Sequence, residues 1–118
     1  MSKRDPELYL RDILDSINKI ESFVKNMSYK KFLENEMVID AVIRNIEIIG
    51  EAVKNLPDET KKSHPNIPWN KIIDTRNKVI HEYFGVDIEI LWKTITDDLS
   101  KLKEQVEKIV WEMFFGYC

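Results

Sequence analysis

Residues 37–56 read MVIDAVIRNIEIIGEAVKNL, and this stretch decides the fold. Apolar side chains occupy most sides of it: Met37, Val38, Ile39, Ala41, Val42, Ile43, Ile46, Ile48, Ile49, Ala52 and Val53. A helix with that pattern must be buried by several neighbours, so it is the central element of a helical bundle. It should run from about Glu36 to Leu56, closed by Pro57. Its one polar stripe is Asp40, Arg44, Glu47 and Glu51, at i, i+4, i+7 and i+11 and therefore on one face. Gly50 interrupts an otherwise strong helix former at a cost of roughly 1 kcal/mol relative to alanine. Close approach of a neighbouring backbone is the expected offset.

Working outward, Asp5-Pro6 supplies an N-cap and a proline suited to the first helical turn. Leu10, Ile13, Leu14, Ile17, Ile20, Val24 and Met27 then step by threes and fours, which predicts an amphipathic helix to about Met27. Ser28 can cap a short turn through Phe32 and Leu33. Pro57 to Pro68 holds three prolines and reads as a loop with one helical turn around Asp58–Lys62. Pro68 opens a helix carrying Trp69, Ile72, Ile73, Arg76, Val79 and Ile80, with Gly85 as its stop. Asp87 caps the last long helix, which buries Ile88, Leu91, Ile95, Leu99, Leu102, Val106 and Ile109. No segment alternates with period two. The expected fold is all-α: an up-and-down bundle of four main helices with short extra helices, in a single domain spanning residues 1–118.

Composition narrows the function. The chain has 118 residues, 43% hydrophobic and 33% charged, which fits one globular core. No apolar run approaches the roughly 18 residues of a membrane span, and the N-terminus has no signal-like apolar region, so a cytoplasmic protein without membrane contact is expected. Its only cysteine, Cys118, excludes an intrachain disulfide. A net charge of −3 argues against coating nucleic acid by bulk electrostatics, but not against holding one or two phosphates locally. The tail WEMFFGYC, residues 111–118, gathers four aromatic rings at a terminus. Folding back onto the domain and forming a partner surface are the two readings.

Arg76 to Gly85 reads RNKVIHEYFG. It combines a permanent cation, a group titrating near neutral pH and a phenol, a set suited to cleaving a phosphodiester without a metal. Histidine can act as base or acid, arginine can hold phosphate oxygens with its planar fork, and Tyr83 can hydrogen-bond the phosphate or orient the imidazole. On an ideal helix Arg76 and His81 lie about 140° apart, whereas Asn77 and His81 share a face. The first pair converges if the helix loosens near His81 or if the arginine wraps around. One histidine cannot readily be base and acid at once, so a homodimer pairing two His81 rings is attractive. The alternative is structural: Arg76 pairs with a carboxylate such as Glu47 or Asp74, while His81 and Tyr83 close a helix C-terminus. His64 reads as a solvated loop residue. No metal-ligand spacing and no Gly-rich phosphate loop occur, so neither metal nor cofactor is expected.

The R-x4-H-x-Y spacing resembles the signature of HEPN ribonucleases, in particular the HepT-like toxins. The resemblance extends over about residues 5–110: AVIRNIEIIGEA at Ala41–Ala52 and IPWNKI before the motif helix both match the family pattern. The aromatic tail lies outside it. The resemblance implies a metal-independent endoribonuclease of a toxin–antitoxin pair, a homodimer whose motifs face a shared cleft. Arg76 and His81 would be catalytic and Tyr83 assisting. Asn77, Arg44 and Glu47 would be supporting residues, and Arg44, Glu47 and Glu51 of the polar stripe would line the cleft or form salt bridges. It further implies a minimal nucleotidyltransferase antitoxin that silences the toxin by adenylylating Tyr83. The competing expectation is a non-catalytic HEPN subunit that binds a nucleotidyltransferase.

Overall fold

The computed structural model describes residues 5–81 and 87–115. Seven α-helices follow in chain order: α1 (Pro6–Val24), α2 (Tyr29–Leu33), α3 (Glu36–Asn55), α4 (Asp58–Ser63), α5 (Trp69–His81), α6 (Ile88–Lys93) and α7 (Leu99–Phe115). A π-helical segment, Thr94–Asp98, joins α6 to α7. The described residues form no strand, and the architecture is the all-α bundle that the periodicity predicts. Four long elements make it: α1, α3, α5 and the α6–π–α7 rod.

Helix α3 is central, packing against α1 on one side and α5 on another, while α7 closes the bundle against α1. Its inner residues Ile39, Val42, Ile46, Ile49 and Val53 are buried. They meet Leu10, Ile13, Ile17 and Ile20 of α1 and Leu99, Leu102, Val106 and Ile109 of α7 in one continuous core. Burying a branched aliphatic side chain contributes roughly 1.5–3 kcal/mol, so this core is the main source of stability.

The caps set the boundaries. Asp5 accepts from the Glu7 amide at 3.0 Å, Ser28 from Lys31 at 3.2 Å and Asn35 from Val38 at 3.1 Å. Asp87 accepts from the amides of Glu89 and Ile90 at 3.0 and 3.3 Å. The first helix stops earlier than its apolar stripe predicts. Asn26 adopts φ 61°, the left-handed region that asparagine tolerates, and turns the chain before Met27. Met27 still packs on the core, from outside the helix. The predicted stop at Gly85 lies outside the described residues.

The second departure is the π segment, where a single regular helix was expected. Leu91, Ile95 and Leu99 are all buried and succeed one another by two consecutive four-residue steps. On a regular helix the third of these would stand about 80° around from the first, and the wider π turn narrows that spread.

The aromatic tail does not fold into the core. Helix α7 continues to Phe115, and Trp111, Phe114 and Phe115 stay 59%, 54% and 59% exposed. Trp111 and Phe114 each stack on Phe115, with ring centroids 5.4 and 6.1 Å apart, and the Arg11 guanidinium lies 5.2 Å above the Phe114 ring. The reading in which these rings fold back is therefore corrected: α7 turns Ile109 and Met113 toward the core, which leaves Trp111, Phe114 and Phe115 on its outer side. Tyr117 and Cys118 lie outside the described residues. Toward the opposite end of α7, Lys103 donates to Glu21 at 2.8 Å and ties α7 to α1. This hydrogen bond raises the Lys103 pKa above its ordinary 10.5, against a small opposing effect of burial. No helix among the described residues is long and apolar enough to cross a membrane.

Candidate functional site

The site is built where α3 and α5 cross. Gly50 is buried, and a Cβ placed on it would collide with Cβ and Cγ of Arg76 and come within 3.1 Å of its Cδ. Glycine is present because the stem of Arg76 occupies the space of a side chain. The neighbour expected at Gly50 was a backbone; the structure puts the side-chain stem of the motif arginine there instead.

Fixing the stem fixes the charged end. The Arg76 Nη2 donates to Glu51 Oε2 at 2.9 Å, and Nη1 donates to Asn77 Oδ1 at 2.9 Å. The carboxylate partner is therefore Glu51, not Glu47 or Asp74. The crossing at Gly50 sets the next residue on α3 beside the guanidinium, whereas Glu47 lies about one turn away. Glu51 could have been singled out from the sequence, because it follows the one glycine of the helix. Arg76 is 22% exposed at its side chain and Glu51 50%, so the pair sits at the protein surface with the arginine largely enclosed. The Nε–H of Arg76 is buried with no acceptor. Of five N–H donors, two are engaged, which leaves further hydrogens on the terminal nitrogens for an anion.

Asn77 shows which way the arginine wraps. It stands 100° around α5 from Arg76, and His81 follows Asn77 by four residues on the same face. The backbone of α5 remains helical through His81, so the helix does not loosen before it. The guanidinium of Arg76 leans along α5 onto Asn77. The side chain of His81 and the whole of Tyr83 lie outside the described residues.

The remaining candidates divide. Glu47 is half-buried and Arg44 exposed on the polar stripe of α3; no hydrogen bond or ion pair joins either to Arg76. The start of α5 is held by Trp69, which is buried and donates its indole N–H to the carbonyls of Lys61 and His64, both at 3.1 Å. That clamp sets the register of the helix carrying Arg76. His64, expected to be solvated, is half-buried and serves through its carbonyl.

Among the described residues no group of three or more His, Cys, Asp or Glu side chains is arranged to hold a metal ion. What the crossing offers is a fixed planar cation with unused donors, facing solvent on one side and backed by a carboxylate and an amide. Such an arrangement can hold phosphate oxygens and stabilise added negative charge on them.

The family model described as "Ribonuclease HepT-like" matches residues 13–109. A provisionally named RNase of Methanocaldococcus jannaschii is 44% identical over 107 residues, 91% of this chain and 98% of its own length. The protein named probable ribonuclease HepT of Thermococcus cleftensis is 46% identical over 107 residues, 91% of this chain and 97% of its own. A further provisionally named RNase, from Caldanaerobacter subterraneus, is 41% identical over 107 residues, 91% of this chain and 96% of its own. No solved structure matches the chain.

Proposed function

The chain belongs to the HepT-like ribonuclease family of HEPN proteins, and on that premise we propose that it is the metal-independent endoribonuclease toxin of a toxin–antitoxin pair. The observation that carries the reading is the Gly50–Arg76 crossing. It dedicates a helix position to an arginine whose charged end is held at the surface and turned toward the face of His81.

The chemistry follows from the groups. A base removes the proton of a ribose 2′-hydroxyl, and the 2′-oxygen attacks phosphorus. The bond to the 5′-oxygen breaks, an acid protonates that oxygen, and a 2′,3′-cyclic phosphate and a 5′-hydroxyl leave. Arg76 stabilises the extra negative charge on the phosphoryl oxygens. His81 exchanges the protons, its ordinary pKa of about 6.5 suiting both directions. In a homodimer, His81 of one copy serves as base and its counterpart as acid across a shared cleft. Asn77 and Glu51 position the guanidinium, and Arg44 and Glu47 border the cleft along the polar stripe of α3.

Silencing fits the same site. A minimal nucleotidyltransferase antitoxin transfers AMP from ATP to the phenol of Tyr83, releasing pyrophosphate. The added anion blocks and repels substrate phosphate beside Arg76. Cytoplasmic location follows from this partnership.

RNA cleavage in EDTA, comparing wild type with folded Arg76→Ala and His81→Ala, tests the function. Cleavage by wild type and its loss, by 100-fold or more, in both variants is expected. No cleavage of a broad RNA panel by unmodified wild type would leave the non-catalytic HEPN subunit as the better reading.

A further inference from the structure

The outer face of α7 carries a feature that the proposed chemistry does not use. Glu104, Lys108, Trp111 and Phe115 recur at i, i+4, i+7 and i+11, and all four are exposed. They form one stripe, turned away from the side of the helix on which Leu102, Val106 and Ile109 are buried. Phe114 flanks it, under the Arg11 guanidinium. Helix α3 packs on α1 and α5, while α7 packs on α1. The outer face of α7 therefore lies across the bundle from the Gly50–Arg76 crossing, and a contact at one leaves the other open.

Area and charge point to one occupant, a second copy of the chain. Trp111, Phe114 and Phe115 are each more than half exposed. Side chains of this kind carry about 150–250 Å2 each, so the three rings show roughly 350 Å2. A patch of that size marks a contact surface more often than plain solvent-facing surface does. Among the described residues no hydrogen bond or ion pair engages Lys108, Glu104 or Glu112. When two α7 helices lie antiparallel about a two-fold axis at Ile109–Val110, each Lys108 meets Trp111 of the second copy, with Glu112 of that copy beside it. The ammonium then gains a ring face and a carboxylate together. The Arg11–Phe114 contact at 5.2 Å is the same kind of pairing within one chain. Parallel helices would instead set Lys108 against Lys108 and Glu104 against Glu104. An anionic lipid surface is disfavoured, because Glu104, Glu107 and Glu112 are exposed on and beside the stripe.

We propose that the outer face of α7 is a self-association surface that docks antiparallel on the same face of a second copy. The contact is isologous, so each Lys108–Trp111 pairing is made twice. With the stems of Lys108 and Glu104, the two patches cover about 1,000 Å2, the low end for a specific interface. Association is therefore weak, with a Kd of about 10–100 µM. It does not depend on the ribonuclease reading. Where the chain also pairs through the motif cleft, this second contact joins such dimers into tetramers.

The test is sedimentation equilibrium of the full chain from about 5 to 500 µM, a range that brackets the expected Kd. The average mass should roughly double across it. Lys108→Glu changes an exposed, unpaired residue, so it should keep the wild-type Tm and weaken association about tenfold. Glu112→Lys should do the same. The double variant Lys108→Glu/Glu112→Lys should recover to within about threefold of wild type, because opposite charges again meet across the axis. RNA cleavage, which neither residue serves, should stay within about twofold in all three. A mass constant over the whole range overturns the proposal, as does a double variant no stronger than either single one. Trp111→Ser that associates like wild type overturns it too. Binding of the chain to phosphatidylserine vesicles without self-association would assign the rings to a membrane surface instead.

Discussion

The two faces of α5 solve different electrostatic problems. Toward α3, Arg76 is wedged against Gly50, bonded to Glu51 and Asn77, and largely withdrawn from water. Toward the α6–π–α7 rod, Lys71 and Lys78 are exposed and unpaired among the described residues. A charge that must meet a reacting phosphate in one orientation gains from a fixed stem and preset partners. A charge on a flexible, solvated stem keeps no single orientation. The difference between arginine and lysine on one helix is therefore a difference between a fixed and a free cation.

Gly50→Ala should break this contrast most strongly. Its Cβ cannot coexist with the Arg76 stem, so α3 and α5 must part, costing about 2 kcal/mol even after the helix-propensity gain. Thermal denaturation should show it, and RNA cleavage should fall with it. A Tm at or above wild type would mean that the crossing is not tight. Arg76→Lys comes next: it keeps the charge and loses the fork, so activity should remain at least tenfold down while the fold is preserved. Full activity would show that the two kinds of cation are interchangeable here.

Glu51→Gln sharpens the comparison. It retains an acceptor and removes the counter-charge of a half-exposed pair, so stability should move by less than about 1 kcal/mol. If Glu51 positions Arg76, kcat should fall several-fold with KM nearly unchanged; a shift in KM alone would assign it to binding.

The smallest effect concerns a lysine that, unlike Lys71 and Lys78, is paired. Lys103 has its pKa raised, chiefly by the hydrogen bond from its ammonium to Glu21. The stabilisation is fully present below the lysine's unfolded pKa and is lost as pH rises through the raised folded value, above 10.5. Lys103→Met should therefore be slightly less stable than wild type at pH 8, and the gap should close in strongly alkaline solution. A gap independent of pH would mean that the lysine contributes through its stem.

Much of the bundle is legible in local chemistry. Asp5, Ser28 and Asp87 each announce a helix start, and each accepts the amide bonds that its side chain makes possible. The apolar crowding of Met37–Leu56 marks a central helix because only several neighbours can bury so many sides. What escaped was set by non-local packing. The apolar stripe ran on to Met27, but Asn26 turned left-handed and the chain left the helix there. The π segment showed only as two successive four-residue steps, a signal that a regular helix of slightly different phase also accommodates. In the tail, aromatic content suggested burial, and the packing that turns Ile109 and Met113 inward left the rings on the outer side of α7.

By itself, then, the sequence determined the elements, the all-α class and the identity of Arg76 as the cation of interest, because caps, periodicity and side-chain chemistry act over a few residues. Only the tertiary structure decided that Glu51 holds Arg76 and that Gly50 exists to admit its stem. Those outcomes depend on how far apart two helices lie and where they cross. Helices distant in sequence settle such distances by packing, and no spacing within either one encodes them.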